Sequence, residues 1–123
     1  MTLDTNIVIA FLGGDSEVIK FLEPFKLQGI SLFLPTVVES EFLSFANLNP
    51  EERQMAEKFL EENFTSVSFD RGIARIAAQL RRDTKIKFPD AAIAASALFL
   101  KTPLITRNVN DFKNIAGLQI IRI

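Results

Sequence analysis

The 123-residue chain contains no cysteine and no histidine. The first absence removes disulfides and thiolate chemistry, and the second removes the imidazole base and the imidazole metal ligand. Any chemistry therefore falls to oxygen ligands, amines or guanidinium groups. No apolar run approaches the roughly 18 residues that suggest a membrane span. Met1-Thr2-Leu3-Asp4 puts a carboxylate where a secretory signal would carry basic residues. A cytoplasmic protein is the expectation. Glutamate, finally, is missing after Glu62, which exposes an asymmetry behind the net charge of −1. Residues 1–64 carry four Lys/Arg against eleven Asp/Glu, a net −7, and residues 65–123 carry ten against four, a net +6. This reads either as two differently charged solvent faces or as a basic rim beside an acidic site.

What is present is enough for one domain, residues 1–123, since 48% hydrophobic content over this length encloses a core without staples. Prolines and glycines are scattered as punctuation, without repeats or a linker. The predicted order is a strand up to Leu3, a helical turn from Thr5 to Leu12, and a helix from about Asp15 to Lys26. A strand Ile30–Leu34 and a helix from Thr36 to about Ala46 follow, the latter opened by the capping-box pattern Thr36-Val37-Val38-Glu39. Asn49 starts a helix reaching about Glu62, Ser66–Phe69 is a strand, and Asp70 caps a helix Arg71–Arg82. Phe88-Pro89-Asp90 opens an alanine-rich helix through Leu100 that is apolar nearly all round and so should be buried. Pro103–Thr106, a short turn at Asn108–Lys113, and Leu118–Ile121 complete the pattern. Strands alternating with helices imply an α/β fold with a parallel sheet covered on both faces, and in such sheets ligands bind beyond the carboxyl ends of the strands.

Four acids fall at or near that edge. Asp4 stands where a strand gives way to a helix, a position that N-capping alone also explains. Glu41 falls inside the apolar arc formed by Val37, Val38, Phe42 and Phe45, where a carboxylate must be paired or bound to a cation to offset its desolvation. The capping box accounts for Glu39, so Glu41 is the preferred ligand of the two. Asp90 heads the most apolar helix, and Asp111 follows the strand Leu104-Ile105; capping and the helix dipole explain each of these individually. Together, carboxylates without histidine or thiolate suit hard divalent cations, Mg²⁺ or Mn²⁺. One such ion, or a pair roughly 4 Å apart, can activate water against a phosphodiester.

In these residues the sequence resembles the PIN-domain nucleases, and in particular their short, single-domain VapC-type toxins. The resemblance spans essentially the whole chain. It rests on Leu3-Asp4-Thr5-Asn6, Glu41-Phe42-Leu43, Pro89-Asp90-Ala91-Ala92-Ile93-Ala94-Ala95, and Thr106-Arg107-Asn108 followed by Asp111-Phe112. It implies a three-layer α/β/α domain with a central parallel sheet of about five short strands. It also implies Asp4, Glu41, Asp90 and Asp111 as metal-holding catalytic acids, with Asn6 and Thr106, and with them Asn108, as hydrogen-bonders behind them. Implied activity and partners are hydrolysis of single-stranded RNA with Mg²⁺ or Mn²⁺, a homodimer, and a small cognate antitoxin. Arg107 or nearby lysines are expected to position the RNA backbone. Two features depart from the family pattern: only three residues precede Asp4, and Glu39 stands two residues from Glu41. Two other readings carry different tests. A housekeeping RNA-processing or structure-specific nuclease keeps the chemistry without the toxin role, and a non-catalytic cation-binding or receiver-like module keeps the acids without the hydrolysis. Twelve phenylalanines are present; most are at core spacing, so packing is the expectation for nearly all of them, with base stacking the alternative for one.

Overall fold

The structure, a computed structural model, describes residues 1–45 and 47–123. Five short strands form one parallel sheet: β1 (Thr2–Leu3), β2 (Phe33–Pro35), β3 (Thr65–Val67), β4 (Leu104–Thr106) and β5 (Ile120–Arg122), in the spatial order β3-β2-β1-β4-β5. Six helices connect them: α1 (Thr5–Leu12), α2 (Ser16–Leu27), α3 (Thr36–Phe45), α4 (Pro50–Asn63), α5 (Arg71–Asp83) and α6 (Phe88–Leu100). From β1 the chain steps outward to β2 and β3, then returns past β1 to build β4 and β5 on the other side. Parallel crossovers are right-handed, so reversing direction puts helices on the opposite face and produces the three-layer α/β/α arrangement expected from the sequence. The reversal lies between β1 and β4. Their carboxyl ends diverge there into different loops, leaving a crevice suited to a ligand.

β1 is only two residues long, yet it is the central strand, pairing Thr2 with Phe33 on one side and both its residues with Leu104 and Ile105 on the other. Its flanks extend the ladder. Phe33 N–H donates to Met1 O at 2.7 Å, and Asp4 N–H donates to Ile105 O at 3.1 Å. Asp4 is thereby clamped into the sheet although it lies outside the strand.

Helix starts follow local chemistry. Asp15 caps α2 through bonds from Glu17 N–H and Val18 N–H, and Asp70 caps α5 through Ile73 N–H. Asn49 and Glu52 close a full capping box on α4. The box predicted at Thr36 does not form. The Thr36 hydroxyl instead accepts from Phe69 N–H at 3.3 Å, because β2 delivers Thr36 to the sheet edge beside the residues that follow β3. The predicted end of this helix at Ala46 lies outside the described residues. Residues Ala91 to Ala97 of α6 are all buried, as its composition predicts; α6 lies on β1 and β2 and packs against α5 and α3. The small alanine side chains let these neighbours approach closely.

Candidate active site

Asp4 is 5% exposed, and both its carboxylate oxygens are engaged. Oδ1 accepts from Thr5 N–H at 2.8 Å, while Oδ2 accepts from Asn6 Nδ2 at 2.9 Å and from the Thr106 hydroxyl at 2.7 Å. Thr106, fully buried at the end of β4, in turn accepts from Asn108 N–H at 2.9 Å. Asn108 thus supports Asp4 through its backbone amide. Asn6 closes the far side, its Oδ1 accepting from Arg107 N–H at 3.3 Å. Burial pushes the Asp4 carboxyl above its ordinary value, the bonds from Thr106, Thr5 and Asn6 pull it down, and the charge of Glu41 pushes it up again.

Glu41 reaches this group from α3, accepting from the Thr5 hydroxyl at 2.7 Å. Thr5 therefore links two of the acids, a role the sequence reading did not assign. A small hydroxyl residue beside Asp4 was the available signal. The apolar arc that singled out Glu41 is only partly apolar in the fold: Val38 and Phe42 are buried, but Phe45 is 74% exposed. Half-buried Glu39 makes no side-chain contact with Asp4, Asp90 or Asp111 among the described hydrogen bonds.

Asp90 is the third residue of α6, whose cap position is Lys87, and it makes no side-chain cap bond. Capping, the alternative role for this aspartate, is not what it does. Burial pushes its carboxyl up to about 6, the charges of Asp111, Asp4 and Glu41 add to this, and Lys87 opposes them. Asp90 thus lies within electrostatic reach of the other three acids. Asp111, exposed in the 3₁₀ turn Val109–Asp111, faces Asp90 across a cleft of about 320 Å³ also lined by Lys85, Lys87, Asn110 and Asn114. The two lysines and two asparagines were not singled out by sequence, which gives no periodicity in these loops to mark them.

Arg107, expected to position substrate, is engaged elsewhere. Its Nη2 donates to Asp15 at 2.9 Å and lies 3.7 Å from Glu17, tying the loop after β4 to the start of α2. The hydrogen bond from Arg107 holds the Asp15 carboxyl below its ordinary value.

Among the described residues, no three carboxylates close into a compact ligand group around one point. The donor chemistry nevertheless fits a hard divalent cation, since it consists of oxygens in an excess of negative charge. Mg²⁺ in particular keeps several waters and takes only one or two carboxylates. Removing the hydroxyl at Thr106 should be felt directly. Thr106→Val leaves Asp4 Oδ2 with a single donor and deprives Asn108 N–H of its acceptor, so we expect a loss of about 1–3 kcal/mol in thermal or denaturant unfolding. Thr106→Ser should recover most of it, and equal stabilities for the valine and serine variants would contradict the role given to this hydroxyl.

The PIN domain family model matches residues 1–118 of the chain. The chain belongs to the PIN-domain family. Solved structures agree on the fold. This PIN domain is similar to VapBC-1 from nontypeable Haemophilus influenzae (TM-score 0.83, 26% identity, covering 98% of this chain and 96% of that one). It is similar also to a toxin-antitoxin complex from Klebsiella pneumoniae (TM-score 0.79, 28% identity, covering 98% and 94%). A VapBC2 structure from Rickettsia felis, bound to a DNA fragment from their promoter, shares the fold at TM-score 0.84 and 21% identity, covering 99% and 97%. A search of curated protein sequences gives no match. No helix among the described residues is long and apolar enough to cross a membrane.

Proposed function

We propose that this PIN domain is a divalent-metal-dependent endoribonuclease that hydrolyses phosphodiester bonds of single-stranded RNA. We further propose that it is the toxin of a toxin-antitoxin pair, working in the cytoplasm as a homodimer. The observation that carries the nuclease reading is the position of Asp90: half-buried in the combined field of Asp111, Asp4 and Glu41, with Lys87 as the opposing charge, at the crevice where the sheet reverses direction. A shared field of this kind is costly unless a cation enters it. Similarity to solved toxin-antitoxin complexes supports the partner assignment. Exposed Leu27, Phe45 and Met55 offer apolar surface for protein contacts.

In this reading Asp4, Glu41, Asp90 and Asp111 hold Mg²⁺ or Mn²⁺, which when bound supplies an activated water and stabilises charge on the phosphate. The chain's own residues do the rest. Thr5, Asn6 and Thr106 fix the Asp4 carboxylate so that it meets its ligand without rearranging. Lys85 and Lys87 line the same cleft as Asp90 and Asp111 and are placed to attract the RNA backbone, and Asn110 and Asn114 can donate hydrogen bonds to it. Arg107 reaches RNA only by giving up Asp15, so the two lysines are the better-placed cations.

Purified protein should cleave a fluorophore-labelled single-stranded RNA in Mn²⁺ or Mg²⁺, and a chelator should stop the reaction. Cleavage that persists in the chelator, or that no divalent metal elicits, would sink the metal assignment. For the toxin role, induced expression should slow growth and co-expression of a neighbouring small gene should restore it. Normal growth under induction, with active enzyme in the cells, favours a housekeeping nuclease.

A further inference from the structure

Two half-exposed phenylalanines stand on the same rim as the acids and have no part in holding them. Phe69 is 38% exposed and Phe88 47%, and their rings meet edge to face with centroids 5.6 Å apart and planes at 74°. Phe69 follows β3 and is anchored by its N–H to the hydroxyl of Thr36, the residue after β2. Phe88 opens α6 two residues before Asp90. The pair therefore sits over the carboxyl ends of β3 and β2, beside the reversal between β1 and β4 where the acids lie. With adjacent strands roughly 4.8 Å apart, this puts it on the order of 10 Å from Asp4 along the sheet edge.

The surroundings specify the occupant. Exposed Arg71 and Lys87 flank the two rings in sequence, and Lys87 also lines the acid cleft. The nearest acid in sequence, Asp70, is occupied in capping α5. Aromatic faces with cations beside them in sequence, on the same sheet edge as the acids, suit a ligand with flat apolar rings on a polyanionic backbone. The chain has no Trp and no Tyr, so any aromatic stacking must come from phenylalanine. We infer that Phe69 and Phe88 form a stacking platform for an unpaired base of single-stranded RNA whose neighbouring phosphate lies in the acid-lined cleft. An edge-to-face pair makes a corner, so a base stacking on one ring meets the edge of the other. Stacking of this kind is tolerant of sequence and excludes bases already paired in a duplex.

The inference rests on the nuclease reading, and the test separates the two. Phe88→Leu and Phe69→Leu keep apolar bulk but remove the aromatic face, whereas Phe88→Tyr keeps the face. With a single-stranded RNA carrying 2-aminopurine, KM for cleavage and Kd measured in an Asp4→Asn background should both rise roughly tenfold or more in the leucine variants. The loss should fall on KM rather than kcat, fluorescence quenching should weaken, and Phe88→Tyr should bind like the parent. Affinity for a fully paired RNA should not change. Unaltered Kd and quenching in both leucine variants would overturn the platform while leaving the nuclease reading intact, if Asp4→Asn still abolishes cleavage. A parent protein that quenches through these rings but cleaves nothing would keep the platform and remove the nuclease. Failure of the parent to bind the RNA, or a changed oligomeric state in the leucine variants with RNA affinity unchanged, overturns the platform; in the second case the rings form a protein interface.

Discussion

Asp4→Asn is expected to abolish RNA cleavage while leaving the protein folded. The buried carboxylate receives three hydrogen bonds, from Thr5 N–H, Asn6 Nδ2 and Thr106 Oγ1. An asparagine has one carbonyl oxygen, so whichever way its amide turns, its NH₂ group faces a position now occupied by a donor. With the NH₂ group at the Oδ1 position only the Thr5 contact is lost, and at the Oδ2 position two are, so the favoured orientation costs about 1 kcal/mol. Relief of a desolvated charge beside Glu41 works in the opposite direction. The net change in melting temperature should be a few degrees at most. Activity is a different matter, because a neutral amide offers a metal far less than a carboxylate does. Disturbing the partners of a ligand commonly costs ten- to a hundred-fold in affinity or activity, and losing the ligand itself should exceed about a hundredfold. The measurement is a single-turnover cleavage rate at fixed Mn²⁺. Near-parental cleavage by a well-folded Asp4→Asn protein would remove Asp4 from the site.

Asp90→Asn separates stability from function in the opposite sense. The folded protein raises the Asp90 carboxyl from 3.8 to about 6, so between these values the native state binds a proton that the unfolded state has released. Stability of the metal-free protein therefore falls as pH rises through about 4 to 6, and at neutral pH the ionised carboxylate is a liability. Substituting asparagine removes that charge. Because about half of the group faces water, we expect a gain on the order of 1 kcal/mol in the presence of a chelator at pH 7, well below the unscreened linkage value. Near pH 4 the gain should vanish, since parental Asp90 is then protonated. Saturating Mn²⁺ should reverse the ranking: a ligand at about a hundred times its Kd adds roughly 2.7 kcal/mol to the state that binds it, and the variant forgoes most of this. Thermal unfolding at pH 4 and pH 7, with chelator and with Mn²⁺, tests all arms. An Asp90→Asn protein less stable than its parent in chelator at pH 7 would contradict the field assigned to this residue.

Much of this was legible in the sequence for physical reasons that can be named. Helices α1, α5 and α6 fall within a residue or so of expectation because Asp4, Asp70 and the Pro89 turn mark their starts and apolar spacing marks their faces. The four acids were singled out because alternation of strands and helices fixes which edge binds ligands, before any side chain is seen. Strand limits were less legible. β2 begins at Phe33 rather than Ile30 because, after the turn at Gly29, residues 30 and 31 remain exposed before pairing starts. β5 begins at Ile120 rather than Leu118 because Leu118 N–H is still bonded to Ile115 O in the turn carrying Gly117 at φ +80°. Thr36 matched a capping pattern, but a tertiary partner claimed its hydroxyl. The Arg107–Asp15 contact joins residues 92 positions apart in two loops, where no periodic signal exists to foretell it.

The shortness of β1 has a dynamic consequence. Asp4 N–H is bonded to Ile105 O at the middle of the sheet, so its hydrogen-exchange protection should approach that of the global unfolding reaction rather than of a fraying loop. Asp111, exposed in its 3₁₀ turn, belongs to the opposite end of that scale. Local opening can therefore carry off one wall of the cleft but not Asp4, which persists as long as the sheet does. An inhibitor gains little by waiting for this carboxylate to melt away. It has to fill or cover the cleft of the folded protein, and when it dissociates the acid behind it is already in position.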